Sequence, residues 1–248
     1  MPNLTASRDI TTGGGLFIDA HGNVYVNTDG NHGTRYPLHS IWLCQSLYLV
    51  SVLDLLKPYC AFNAGYNSQE RQDQQASICK QGIHKHVINQ IVGWAEKDCT
   101  CSICWLYGPA GTGKSSIAHT IATHFIDKGW VALTFFFSCG RANHIAITKL
   151  FATLAYLLAV SKVLPAAQQA IGQAIQEDPS ILTANFETQF HNLVVDPILA
   201  SAQSLPKIII IIDGLDECDS SPHQALLIKL LVKQTPALSS CARFLVTS

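Results

Sequence analysis

Five consecutive isoleucines, Ile208–Ile212, constrain the fold of this chain more than any other feature, and they run directly into Asp213. A strand with one solvated face alternates apolar and polar residues, whereas this run contains no polar position. It therefore predicts a strand that is buried on both faces, as in a parallel sheet covered by helices. Asp216 and Glu217 follow closely, and acids at the end of such a strand call for a functional explanation.

Helical and strand patterns alternate along the chain from about residue 84 onward. Apolar runs predict further strands at 103–107, 131–138 and 242–248. Apolar residues at helical spacing predict the helices between them, at about 87–95, 117–126, 147–158, within 166–203, and over 222–234. This alternation predicts an α/β fold, a parallel sheet with helices on both faces.

The first 37 residues have a different composition and are predicted to be a Gly/Asn-rich extension and linker, β-prone or flexible. Two short apolar alternations, 16–18 and 24–26, flank turn-forming residues, and 28–37 is predicted to be linker. A lone hairpin is marginally stable in water, so this extension is a candidate for self-association or for binding a partner protein.

Residues 38–83 are predicted to be a helical connecting segment that opens with an apolar stretch, 41–56. This stretch is shorter than the roughly 20 residues that a membrane span needs, and Gln45 and Asp54 interrupt it. A buried helix is therefore the favoured interpretation and a membrane-associated segment the alternative; no membrane span is expected.

Composition narrows the class of protein. Of the 248 residues, 48% are hydrophobic and 13% charged, so a sizeable core is expected, and the net charge of −1 gives no reason to expect nucleic acid as a partner. The nine cysteines are scattered and no secretory pattern opens the chain. These features predict a cytoplasmic protein with reduced thiols.

Residues 108–115, GPAGTGKS, match the phosphate-binding pattern G-x-x-x-x-G-K-[ST] between a predicted strand and a predicted helix. Glycines let the backbone wrap closely around a phosphate, and the helix start adds the positive end of its dipole. Lys114 is expected to reach the β- and γ-phosphates, and the Ser115 hydroxyl to bind Mg²⁺. The predicted nucleotide-binding residues of this segment are Gly108, Pro109, Ala110, Gly111, Thr112, Gly113, Lys114, Ser115 and Ser116.

A Mg²⁺ ion that bridges two phosphates also needs a carboxylate from a neighbouring strand, and Asp213 has the expected position at the carboxyl end of the isoleucine strand. Ser115 and Asp213 are thus the predicted metal ligands. Asp216 and Glu217 are candidates for orienting an attacking water. The alternative for these two acids is charge that stabilises the start of the helix near residue 222.

Five segments resemble, in order, the NACHT domain: GPAGTGKSSIAHTIA, TFFFS, DPSI at 178–181, IIIIDGLDEC and RFLVTS. More narrowly, they resemble fungal NACHT proteins whose domain is of the nephrocystin-3-like N-terminal type, from about Asn67 to the last residue. The resemblance implies a STAND-class P-loop NTPase over 84–248, a switch controlled by ATP and Mg²⁺. Such proteins are linked to fungal self/non-self recognition and cell death.

The resemblance also implies roles for single residues. Asp213 is the Walker B acid, Asp216 and Glu217 are the acidic pair, and Thr247 lies near the position that senses the γ-phosphate. The final strand is expected beside the isoleucine strand. Because no Asn-Lys-x-Asp guanine motif occurs, ATP is expected rather than GTP.

Two departures from the relatives affect what the resemblance implies. His84 stands about where they carry an arginine, which bears on the expected adenine or ribose contact, and this chain ends before a second arginine and the lid that follows it. The NACHT domain is therefore expected to be C-terminally incomplete and to hydrolyse ATP slowly at most. The alternatives are a non-hydrolysing interaction module stabilised by nucleotide and, less favoured, a small-molecule kinase, which would need a second pocket with basic residues.

Overall fold

The computed structural model divides the chain into two compact units, residues 1–50 and 51–248. In the first unit the structure describes the backbone of three strands. In the second it describes residues 52–66, 68, 84–97, 101–137, 147–202, 207–218 and 221–248.

The first unit contains an antiparallel three-stranded sheet in the order β1-β2-β3. Strands β1 (Gly15–Ile18) and β2 (Val24–Asn27) cover the two predicted apolar alternations. Strand β3 (Thr34–Tyr36) lies where linker was predicted, and it pairs with β2. Three residues are too few to show a period of two, so the sequence pattern could not reveal this strand.

The second unit is built on a four-stranded parallel sheet, as predicted. Its strands are β4 (Ile103–Leu106), β5 (Val131–Phe136), β6 (Ile208–Asp213) and β7 (Ala242–Thr247), in the order β4-β7-β6-β5. The final strand β7 pairs with the isoleucine strand β6, as expected, and also with β4. It therefore separates the strand before the glycine-rich loop, residues 108–115, from the strand that ends in Asp213.

The isoleucine strand is buried on both faces, which confirms the prediction made from its composition. Ile208, Ile210 and Ile212 belong to the larger core cluster, while Ile209 and Ile211 belong to the smaller one. All five side chains are at most 2% exposed. Successive side chains on a strand point to opposite faces, so an apolar residue is needed at every position.

Helices cover both faces of the sheet. Helices α2 and α3 contribute to the smaller core cluster, and the other helices contribute to the larger one. The π-helical turn His191–Val195 connects α6 directly to α7. In chain order the helices are α1 (52–56), α2 (Lys85–Glu96), α3 (Lys114–Asp127), α4 (Leu150–Ala159), α5 (Pro165–Glu177), α6 (Phe186–Phe190), α7 (Asp196–Ser201) and α8 (Ser221–Gln234).

Residues 52–66 pack into the sheet unit. Val52 and Leu56 of α1 are buried, and the Cys60 thiol donates to the Ala152 carbonyl of α4 at 3.3 Å. The Ala61 N–H donates to the Thr153 hydroxyl at 2.9 Å. Burial raises the pKa of the Cys60 thiol to about 12, which keeps it neutral in this core.

The apolar stretch 41–56, predicted to be a buried helix, is described only over 52–56, where it is helical; Val52 and Leu56 are buried, whereas Leu53 is half-buried and Leu55 is exposed. Its remaining residues lie outside the described part of the chain. None of the described helices has the length and apolarity that crossing a membrane requires.

Candidate functional site

The glycine-rich loop connects β4 to α3 at the carboxyl edge of the sheet. Gly111 and Gly113 have positive φ angles of 79° and 85°, a conformation that glycine adopts without the steric cost of a Cβ. Thr112 closes a tight turn with two hydrogen bonds to the Pro109 carbonyl. Its backbone N–H donates at 3.4 Å and its side-chain hydroxyl at 2.8 Å. The tip of this turn, 109–112, is exposed. The loop therefore folds back on itself and leaves its outer surface open to a ligand.

Helix α3 begins at Lys114, immediately after the loop, and its first turn contains no acidic residue. The unpaired N–H groups and the dipole of a helix start attract anions. Lys114 donates to the Gly108 carbonyl at 2.7 Å and to the Pro109 carbonyl at 3.1 Å, so its ammonium group lies over the loop. Ser115 and Ser116 are half-buried in the first turn of the helix. These groups together make an electropositive cradle.

The end of β7 ties the cradle to the rest of the sheet. The Ser248 N–H donates to the Leu106 carbonyl at 3.1 Å, and the Gly108 N–H donates to the Ser248 carbonyl at 3.2 Å. The indole N–H of Trp105 donates to the Ser248 hydroxyl at 2.8 Å. Ser248 thus fixes the first residue of the loop against the central strand, which sequence reasoning did not reveal.

Asp213 is held at the end of β6 by a hydroxyl from β7. It is 1% exposed, and the Thr247 hydroxyl donates to its Oδ1 at 2.7 Å. The same hydroxyl accepts the Gly214 N–H at 2.9 Å. A carboxylate fixed by a buried hydrogen bond presents its charge in a defined direction. Hydrogen bonds to two consecutive residues therefore connect the glycine-rich loop to Asp213: Gly108 bonds to Ser248, and Thr247 bonds to Asp213.

Asp216 and Glu217 lie in the short 3₁₀ turn Leu215–Glu217 that follows. Gly214 opens this turn with a φ of 71°, and the buried Leu215 anchors it in the core. Asp216 is exposed, whereas Glu217 is half-buried and its side chain folds over Gly214. The turn precedes α8 by only a few residues, so the geometry is compatible with both interpretations of the two acids.

The predicted residues thus lie along the carboxyl edge of one sheet. Those from 108 to 116 form the loop and the first turn of α3, and Asp213 and Thr247 lie at the ends of adjacent strands. One neighbour of the cradle was not assigned there from the sequence: the imidazole of His84 lies against Gly113. Single-sequence patterns do not report contacts between segments so far apart.

The Thr247 hydroxyl satisfies two buried groups at once, so we expect Thr247→Val to destabilise the protein by about 1–3 kcal/mol. Valine keeps the shape but leaves the Gly214 N–H without this acceptor and Asp213 without this donor. Urea unfolding measures the change. Thr247→Ser is the matched control because it keeps the hydroxyl, and it should recover most of the loss. Equal stability of the valine variant and the parent would contradict the assigned hydrogen bonds.

Comparison with known proteins adds one finding. A family model described as nephrocystin 3, N-terminal, matches residues 79–248, which include every predicted site residue. Searches of curated proteins and of solved structures gave no match. The match covers more than half of the chain and the whole parallel sheet. This chain is therefore a member of the nephrocystin 3 N-terminal family.

Proposed function

We propose that this chain binds ATP together with Mg²⁺ at the glycine-rich loop, as the P-loop module of a signalling switch. The observation that carries the proposal is the cradle of positive-φ glycines at the start of α3, with the Lys114 ammonium over it and no acid in the first helical turn. A phosphate chain fits such a cradle because backbone N–H groups, the helix dipole and one cation all converge on it.

Carboxylate and hydroxyl oxygens such as those of Asp213 and Ser115 suit Mg²⁺, which also takes phosphate oxygens. We assign Asp213 and Ser115 as the residues that hold the ion. Asp213 is suited to this because the Thr247 hydroxyl fixes its Oδ1 at 2.7 Å. The ion, when bound, would neutralise charge on the phosphates; orientation of the carboxylate comes from the protein.

We assign to Asp216 and Glu217 the role of orienting an attacking water, and we expect hydrolysis to be slow. Arg243 is the one arginine whose side chain lies in the described part of the chain. Arg243 is 5% exposed. Its guanidinium donates to the carbonyls of Ser239, Ala242 and Lys97. It is thus committed to the fold, and an arginine that stabilises the reacting phosphate is worth about 10³ to 10⁵ in rate elsewhere.

The resemblance to NACHT domains supports a wider assignment. We propose that nucleotide state sets the conformation of a STAND-class switch, in the manner of fungal proteins of self/non-self recognition and cell death. The N-terminal strands β1–β3 would be the segment through which the protein associates with itself or a partner. A non-hydrolysing interaction module is the second candidate, and within the described residues the commitment of the Arg243 guanidinium to backbone carbonyls is compatible with it. Steady-state turnover separates the two.

Thermal unfolding with and without nucleotide tests the proposal. A ligand at 100 times its Kd stabilises the native state by about 2.7 kcal/mol, which corresponds to roughly 5 °C or more for a protein of this size. We expect ATP with Mg²⁺ to raise the Tm in this way and GTP to do so less. A Tm that neither ATP nor ADP changes at millimolar concentration would contradict the proposal.

A further inference from the structure

His84 has an unusual backbone conformation immediately before α2. Its φ of 58° makes it the one non-glycine residue with positive φ in the described chain. The left-handed region is sterically costly for a residue that carries a Cβ, and strained residues of this kind cluster at functional sites. Its side chain makes no capping hydrogen bond to α2, so capping does not explain the conformation.

The conformation directs the imidazole onto the glycine-rich loop. A Cβ built on Gly113 would lie 2.8 Å from Nε2 of His84, 3.4 Å from Cδ2 and 3.8 Å from Cε1. Given a carbon–carbon bond of about 1.5 Å, Nε2 lies no more than about 4.3 Å from the Gly113 Cα. The nitrogen-bearing edge of the ring therefore faces the last glycine of the cradle. Gly113 has two reasons to be glycine: its positive φ and this ring.

This position borders the anion site. Gly113 directly precedes Lys114, the first residue of α3, and loops of this type cradle the α- and β-phosphates with their N–H groups. A neutral imidazole carries one N–H donor and a protonated one carries two, and the His84 side chain is half-buried beside the loop. The Lys114 ammonium lies elsewhere on the loop, over the Gly108 and Pro109 carbonyls.

From this geometry we infer that His84 is a phosphate-binding residue of the site, contacting the α/β end of the phosphate chain beside Gly113. The inference rests on the proposed function, because it names a further contact within the same site. It places a residue from before α2 in the binding site, more than 20 positions upstream of the loop. Since the contact is to phosphate, it should serve ATP, ADP and inorganic tripolyphosphate alike.

The variant His84→Asn tests the inference. Asparagine tolerates the left-handed backbone but is too short to bring a donor to the place of Nε2. We expect the affinities for ATP, ADP and magnesium tripolyphosphate each to fall by about tenfold, the effect of losing one hydrogen bond to a charged group. The matched control is His86→Asn, since His86 is exposed two residues further on. It should bind within about twofold of the parent.

The unmodified protein provides a second readout that does not depend on how the variant folds. Carbethoxylation of the two histidines, followed by mass spectrometry, measures their accessibility. We expect ADP to slow the modification of His84 several-fold and to leave that of His86 unchanged.

Several results would overturn the inference. These are affinities of His84→Asn within about threefold of the parent, a loss confined to ATP and ADP, or no protection of His84 by ADP. A loss confined to the nucleotides would mean contact with the nucleoside instead of phosphate. Binding by the parent is measured first, so failure of the proposed function is recognised separately, as an absence of binding in the parent. That result would remove this inference as well.

Discussion

Replacing Lys114 by alanine should lower the affinity for ATP by about 100-fold or more, the largest effect expected of any single substitution in the site. Lys114 is the cation at the start of α3, and its ammonium already lies over the loop carbonyls. In this motif it contacts two phosphates, and hydrogen bonds to charged groups contribute about 1.5–3 kcal/mol each. Since 1.4 kcal/mol corresponds to tenfold, two lost contacts account for the expected change.

Titration calorimetry on the alanine variant measures this loss. Lys162→Ala is the matched control, because Lys162 is exposed in the turn between α4 and α5. It removes the same charge from the protein without touching the loop. The free energy of unfolding of Lys114→Ala without nucleotide should differ little from that of the parent, since the carbonyl of the exposed Pro109 can bond to water instead. Affinity within about threefold of the parent would remove Lys114 from its assigned role.

Asp213→Asn should abolish most of the contribution of Mg²⁺ to ATP binding while leaving metal-free binding nearly unchanged. Asparagine has the shape of aspartate and keeps an oxygen that can accept the Thr247 hydroxyl, so the buried hydrogen bond is preserved. It loses the negative charge that a divalent cation needs, and its amide presents N–H donors instead. The comparison is therefore between affinities with Mg²⁺ and with EDTA, not between absolute affinities.

The matched control is Asp127→Asn, since Asp127 is exposed at the far end of α3. We expect Mg²⁺ to strengthen ATP binding by the parent and this control about equally, by roughly tenfold or more, which corresponds to 1.4 kcal/mol or more. For Asp213→Asn the ratio of the ATP affinity with Mg²⁺ to the affinity with EDTA should approach one. A ratio equal to that of the parent would show that Asp213 does not bind the metal.

The sheet domain could be predicted from the sequence because its information is local. Five isoleucines without a polar position require two covered faces, and the structure places Ile210 and Ile211 in different core clusters. The conformation of the glycine-rich motif is likewise determined by its own residues, since Gly111 and Gly113 occupy the positive-φ region that the motif needs. Strong local constraints of this kind survive without any knowledge of tertiary contacts.

The features that escaped prediction depend on contacts between distant segments. Strand β3 has three residues and exists by pairing with β2. The segment predicted to be a connection also bonds to α4, through the Cys60 thiol and the Ala61 N–H. The ring of His84 lies against Gly113, which is 29 positions later in the sequence. Neither composition nor hydrophobic periodicity indicates the left-handed backbone of His84. Such contacts are set by packing, which a single sequence does not display.

The function proposed for this chain depends on the loop 108–115 binding the phosphates of ATP with Mg²⁺. Titration calorimetry of the whole chain with ATP in the presence of Mg²⁺ tests it most directly, because it measures affinity and stoichiometry together. We expect saturable binding of about one nucleotide per chain, as one such motif requires, and we expect EDTA to weaken it. Absence of binding at millimolar ATP, or binding that Lys114→Ala leaves unchanged, would contradict it.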